Sequence, residues 1–426
     1  MNKPPKVSVI IPVWNPGAGI RRCVSSLRNQ TLKDIEMIFV DDCGTDGAMD
    51  VVRAAAAEDP RIRIISNAEN VGPGISRNAG IEVARGEYLS FVDADDYVSP
   101  NFLEVLYTKV KSEDLDIVKG RNVYELEDGT EAAHADLNER VRKGILDGKP
   151  LFRLFTYQHQ SSIYRRSLLE KYGIRYGASH NGEDVTFLLK ACHRAKTFNI
   201  EESAEHYHCE RSGSVMHNMR PHMLKAQLHA FSEQMDYIVE NMLGESYVTE
   251  YVSEQVVYLL IVANSYGKNA DNKDAVPSFV CGIQNQIFRL PPHEVERMKS
   301  ECFIVRVLFD HNVILVRRPY KLPWGKFRVE DYMETLTDWM DFITSHPSYV
   351  RDTEGDLYRL FRETDSLHPN DKDRVRLLEL LRRLPLRQRT YIHEMTTLPR
   401  SFAMEAMVKM LGGYRRLRHL LQLETK

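Results

Sequence analysis

Val7-Ser8-Val9-Ile10-Ile11-Pro12-Val13-Trp14-Asn15 is a nearly unbroken apolar run that stops at a polar tip. It is too continuous for a strand with one wet face, so it reads as a central strand of a parallel sheet covered on both sides. Two further runs have the same form. Glu36-Met37-Ile38-Phe39-Val40 leads into Asp41 and Asp42, and Tyr88-Leu89-Ser90-Phe91-Val92 leads into Asp93, Asp95 and Asp96. Ligands of open α/β sheets bind at the carboxyl ends of the strands. The acidic tips therefore converge on one edge, which is the candidate site.

Helical segments over 20–29, 48–57 and 75–84 alternate with strands over 7–13, 36–40, 61–66 and 88–92. That alternation predicts an α/β layer. Pro100 precedes a helix over 101–111, and 116–124 reads as another strand before the Glu127-Asp128-Gly129 turn. The spacing of Val185, Leu188, Leu189 and Cys192 predicts a helix over 182–195, and 209–215 reads as strand and loop. Beyond 219 long amphipathic stretches take over, among them 223–242 and 247–263, with a strand signal at 304–316 and a helical block over 329–423. A chain of 426 residues exceeds what one core usually sustains. The change of character places a boundary near Arg220, between an α/β domain over 1–220 and a mainly helical region over 221–426.

Composition excludes several classes. No run approaches the roughly 20 apolar residues of a membrane span, and the first six residues carry no apolar leader, so the expectation is a cytoplasmic protein. Six scattered cysteines without a CxxC pair suit free thiols in a reducing compartment. A net charge of −3 argues against nucleic acid as a partner. The charge is uneven, however: from Arg374 onward there are 12 Lys and Arg against 4 Asp and Glu.

The ordered set of motifs resembles the family 2 glycosyltransferases of the GT-A fold. The elements are the 7–15 run; Val40-Asp41-Asp42-Cys43-Gly44-Thr45-Asp46-Gly47; Asn70-Val71-Gly72 with Ser76-Arg77-Asn78-Ala79-Gly80; Gly86 through Asp96; and Gly182-Glu183-Asp184. Each is weak alone, and the order is what makes the set specific. Gly44 stands where the family usually has serine, which keeps the turn and removes a hydroxyl. The likeness covers the first half of the chain only.

That resemblance implies an inverting transfer of a sugar from a nucleoside diphosphate, a UDP-sugar by the presence of Asp42, to a glycan or lipid-linked acceptor in capsule, exopolysaccharide or lipopolysaccharide assembly. A departing diphosphate needs a Lewis acid, and Mn²⁺ or Mg²⁺ takes oxygen ligands of the kind that the 93–95 tip offers. By resemblance Asp95 is a metal ligand, with Asp93 at the ribose or the metal. Pro12, Asn15, Asp42, Arg77, Asp93 and Arg211 are donor contacts by the same resemblance, while whether one of His206, His208 or His217 completes the metal sphere stays open, since most such histidines are not ligands. Asp184 is the base and Glu183 orients it or binds acceptor, since a single displacement needs a base on the acceptor face. Structural alternatives stand beside these: Arg77 pairing with a carboxylate, and Glu183 or Asp184 matching a helix dipole. A rival for the whole domain is an idle GT-A module serving as scaffold or nucleotide-sugar sensor.

Near the C-terminus Ala403, Met407, Met410, Tyr414, Leu417 and Leu421 recur at helical spacing beside Lys409, Arg415, Arg416 and Arg418. Such an amphipathic basic helix packs on its own domain, forms a homo-oligomer seam, or lies on the anionic inner face of a membrane.

Overall fold

The computed structural model describes residues 4–125, 159–209, 221–245, 247–266 and 275–302, together with 305, 308–309, 313–314 and 320–321. The basic segment at 403–421, the block over 329–423, Arg211 and His217 lie outside the described residues. Two compact units divide the chain, Met1–Val248 and Thr249–Lys426.

Strands β1 (Val7–Val13), β2 (Ile35–Asp41), β3 (Ile62–Ser66) and β4 (Tyr88–Phe91) are the expected apolar runs. They alternate with helices α1 (Gly19–Arg28), α2 (Ala48–Glu58) and α3 (Pro73–Val83). There follow β5 (Tyr97–Val98), α4 (Phe102–Glu113), β6 (Ile117–Glu125), β7 (Ser162–Arg165), α5 (Arg166–Lys171), α6 (Glu183–Arg194), β8 (Phe198–Cys209) and α7 (Pro221–Asn241). The eight strands form one mixed sheet in the order β3-β2-β1-β4-β7-β6-β8-β5. Its β3-β2-β1-β4 half is parallel, with Val7 in register with both Ile35 and Tyr88.

Side chains alternate across a strand, and here both faces are dry. Val7, Val9, Ile11, Met37 and Phe39 pack on one face with Ile20, Val24 and Val52 from α1 and α2. Ile10, Ile38, Val40 and Phe91 pack on the other with Ile81 and Phe187 from α3 and α6. Burial on both sides is why these strands read as continuous apolar runs.

β7 and β8 carried no such signal. β7 has four residues, and β8 (Phe-Asn-Ile-Glu-Glu-Ser-Ala-Glu-His-Tyr-His-Cys) is polar along most of its length. It is held in the sheet by pairing with β6 and β5 rather than by a buried apolar face. The unit boundary also falls beyond α7 instead of near Arg220. The reason is local: Ser179 Oγ donates to the Ala226 carbonyl at 2.7 Å, and His193 Nδ1 lies 2.8 Å from Tyr237 Oη, so α7 is fastened to the α6 region.

The second unit contains helices α8 (Val248–Tyr266), α9 (Ala275–Ile287) and α10 (Pro292–Glu301), with a short antiparallel ladder of β9 (Val313–Ile314) and β10 (Tyr320–Lys321). Val252, Val256, Leu259, Leu260 and Ala263 form the buried stripe of α8. Thr249 Oγ1 donates to Glu294 and joins α8 to α10. No helix of the described residues is long and apolar enough to cross a membrane.

Candidate active site

The polar tips meet at the carboxyl edge of the parallel strands, as their sequence suggested, and cross-links fix them there. Asn15, in a left-handed conformation at φ 48°, accepts the Thr45 N–H on Oδ1 at 2.7 Å. Asp46 accepts the N–H of Gly17 at 2.7 Å and of Ala48 at 3.0 Å. The loops after β1 and β2 are thereby one unit. Pro12 lies inside β1, in register with Val40.

Asp42 has a structural task that the sequence did not disclose. It is 2% exposed. Its Oδ1 accepts from Asn67 Nδ2 at 2.8 Å and the Val71 N–H at 2.9 Å, and its Oδ2 accepts from the Gly72 N–H at 3.0 Å. A carboxylate offers about four lone-pair positions, so three of them close the loop that leads into α3. Gly72 turns that corner at φ 86°, a region costly for residues with a Cβ, and a Cβ there would come 2.5 Å from His180 Nδ1. At Gly74 a Cβ would come 2.8 Å from Glu183 Cγ, so the start of α3 lies directly against the start of α6.

Arg77, one turn into α3, crosses that contact. Its guanidinium donates through Nη2 to Asp93 Oδ1 at 2.7 Å and through Nη1 to Glu183 Oε1 at 3.0 Å. The side chain is 4% exposed. Of the two readings of Arg77, the pairing with carboxylates is the one seen here: a buried guanidinium requires counter-charges, and it takes them from the 93–96 tip and the 182–184 motif. Although burial opposes its charge, the paired carboxylates hold Arg77 above the usual arginine range. Against the same burial, Arg77 holds Asp93 well below the usual carboxylate range.

Asp93 Oδ2 accepts from Gln160 Nε2 at 2.9 Å, so both of its oxygens are engaged. Asp95 is half-buried, and its Cα would lie 2.8 Å from a Cβ at Gly19, which sets the tip against the first turn of α1. Asp96 is fully buried and accepts from the Cys209 N–H at 3.0 Å and from His208 Nδ1 at 3.2 Å, stitching the end of β8 to the tip. Burial pushes the Asp96 carboxyl up to about 6. Burial lowers His208, but the Asp96 hydrogen bond outweighs it and takes the imidazole to about 9. His206 Nε2 is 3.5 Å from Asp96 Oδ2, and burial drives its pKa down to about 3.

Asp184 begins α6 beside Glu183, its side chain 22% exposed. Burial first, and then the Glu183 charge, raise its carboxyl to about 7. A carboxyl tuned to neutrality is suited to take a proton. Among the described residues no three His, Cys, Asp or Glu side chains form a ready metal cage. That donor set fits a cation arriving with phosphates, which needs only one or two protein carboxylates. Both oxygens of Asp93 are committed to Arg77 and Gln160.

Sequence reading missed Gln160 and His159, and it named Asp96 only as one acid of the tip. Gln160 and His159 lie in His159-Gln160-Ser161-Ser162, directly before a strand too short to announce itself. The third acid of Asp93-Ala94-Asp95-Asp96 was visible, but its burial under two histidines was not.

The model for glycosyl transferase family 2 matches residues 8–173. The uncharacterized glycosyltransferase YibD of Escherichia coli K12 is 30% identical over 267 residues, covering 61% of this chain and 75% of that protein. Succinoglycan biosynthesis protein ExoO of Rhizobium meliloti is 30% identical over 241 residues, covering 54% of this chain and 68% of that protein. Among solved structures, S. aureus TarS 1–349 in complex with UDP-GlcNAc superposes with a TM-score of 0.57 at 20% identity, covering 71% of this chain and 86% of that one. The strand order and this likeness give the first unit the GT-A fold.

Proposed function

The chain belongs to glycosyl transferase family 2, and we propose that it moves a sugar, with inversion, from a UDP-sugar to a hydroxyl of a glycan or lipid-linked glycan during surface-polysaccharide assembly. The observation that carries this reading is the Arg77 bridge, which joins the 93–96 tip, the leaving-group side in this reading, to the helix bearing the neutral-tuned Asp184. The two halves of a displacement site are thus set at a fixed separation. The UDP-GlcNAc complex of a protein of the same fold and the role named for ExoO support the donor and the pathway class.

In this mechanism Asp42 holds the 67–72 loop and offers its remaining lone pair to the base of the nucleotide. Asp95 would hold a divalent cation, which when bound supplies Lewis acidity for the departing diphosphate. Glu183, paired with Arg77, raises the affinity of Asp184 for a proton. Asp184 takes the proton from the acceptor hydroxyl as that oxygen attacks the anomeric carbon from the face opposite the diphosphate, so the configuration inverts. The basic C-terminal segment would bring the enzyme to an anionic membrane surface where a lipid-linked acceptor resides.

The deciding experiment incubates the full chain with UDP-, GDP- and dTDP-sugars and Mn²⁺, and follows diphosphate release and the anomeric configuration of the product. Release from UDP-sugars with an inverted product supports the reading. Donor binding with no turnover under any condition points instead to an idle sensor module.

A further inference from the structure

His159 stands just before β7 with a side chain 1% exposed, and neither ring nitrogen has a hydrogen-bond partner among the described residues. Phe91, Tyr176 and Phe187 surround the ring, with centroids 5.8, 5.3 and 6.3 Å away. An unsatisfied buried donor or acceptor destabilises the fold, and a phenyl ring of similar outline would avoid that cost. Packing therefore does not account for an imidazole here. Within reach is Asp184, whose Oδ2 lies 3.9 Å from His159 Nδ1. The adjacent residue, Gln160, already donates to Asp93. One short segment thus turns consecutive side chains toward the carboxylates of both acidic motifs.

We propose that His159 is a positioning residue for Asp184: with an acceptor in the cleft, a small rotation brings Asp184 Oδ2 onto the His159 Nδ1–H and leaves Oδ1 facing the acceptor hydroxyl. This rests on Asp184 being the base. Otherwise the carboxylate has the Val185 backbone N–H of its own first helical turn and the charges of Glu183 on its own helix, Arg77 on α3 and Asp93 at the end of β4, none of which is a side-chain donor that fixes Oδ2. A neutral imidazole adds direction without adding charge. Burial first, and then Arg77, keep the ring neutral.

The test measures diphosphate release from UDP-, GDP- and dTDP-sugars with Mn²⁺, using the full chain and water as acceptor. His159→Phe keeps a ring in the aromatic surroundings and removes both nitrogens, while His159→Asn keeps an N–H near Nδ1. His159→Phe is expected to fold with an unchanged or higher Tm and to lower kcat by roughly 10- to 100-fold with donor KM little changed, the scale of a misplaced group. His159→Asn recovers most of the loss. In an Asp184→Asn background His159→Phe has no further effect, because a residue acting through Asp184 then has nothing to position. Wild-type kcat in His159→Phe, or losses that add in the double variant, would overturn the proposal. If His159→Phe does not fold, His159→Met takes its place in the same cycle. Full turnover by Asp184→Asn alone, or no turnover by the unaltered chain, removes the base assignment and His159's role with it. Loss at His159 confined to an otherwise Asp184-dependent reaction separates the two.

Discussion

The guanidinium of Arg77 and the carboxylate of Glu183, 106 residues apart in the chain, meet at 3.0 Å in a buried ion pair. The same guanidinium holds Asp93 at 2.7 Å, so one side chain sets the distance between the two acidic motifs. Removing it strands two carboxylates in a poorly solvated place.

Arg77→Ala is expected to destabilise the first unit by about 3–5 kcal/mol, the range for breaking a buried pair by deleting one partner. Arg77→Lys should recover little, since an ammonium does not reproduce a fork that serves two acceptors. Thermal unfolding checks both; an unchanged midpoint for Arg77→Ala would count against the bridge.

Asp184→Asn keeps the size of the side chain and removes its basicity. Nucleotide-sugar binding, measured by calorimetry, should stay near that of the unaltered chain while transfer falls by roughly 10²- to 10⁴-fold. Full transfer by this variant, or a product of retained configuration, would rule out Asp184 as the base of a single displacement.

The pH dependence follows from the same residue. Asp184 is active as the carboxylate and titrates at about 7, so kcat should rise with pH through about 7 and level above it. Glu183→Gln removes the second-largest cause of the raised value, after burial, and should move this limb to lower pH. A pH–rate profile that is flat across neutrality, or a limb unmoved by Glu183→Gln, would contradict the assignment.

Asp95→Ala should abolish metal-dependent donor binding while the chain still folds and unfolds cooperatively. Titration of UDP with and without Mn²⁺ and a chelator is the measurement. Donor affinity that neither the substitution nor chelation alters would remove the metal from Asp95.

UDP should bind more tightly than GDP or CDP, and Asp42→Ala should erase that preference. Because Asp42 also accepts the Val71 and Gly72 N–H groups, the variant should lose about 1–3 kcal/mol of stability per stranded donor as well. Preferential binding of GDP by the unaltered chain would refute the base contact while leaving the loop closure in place.

Sequence alone determined the parallel half of the sheet and the edge on which the acids gather. A strand buried on both faces must be apolar throughout, and Val7–Val13 and Ile35–Asp41 announce this in their composition. The candidate acids were legible for a related reason: carboxylates directly after such runs break the apolar pattern at one edge of the sheet. Tertiary structure alone decided which acids are paired. Whether Arg77 meets a phosphate or a carboxylate depends on Glu183, brought beside it by the close approach at Gly74. Asp42's loop closure, Gln160's bond to Asp93 and the unpartnered His159 were equally invisible in one dimension. Burial and hydrogen-bond partners of polar side chains are set by contacts between distant segments, and those leave no local period in the chain.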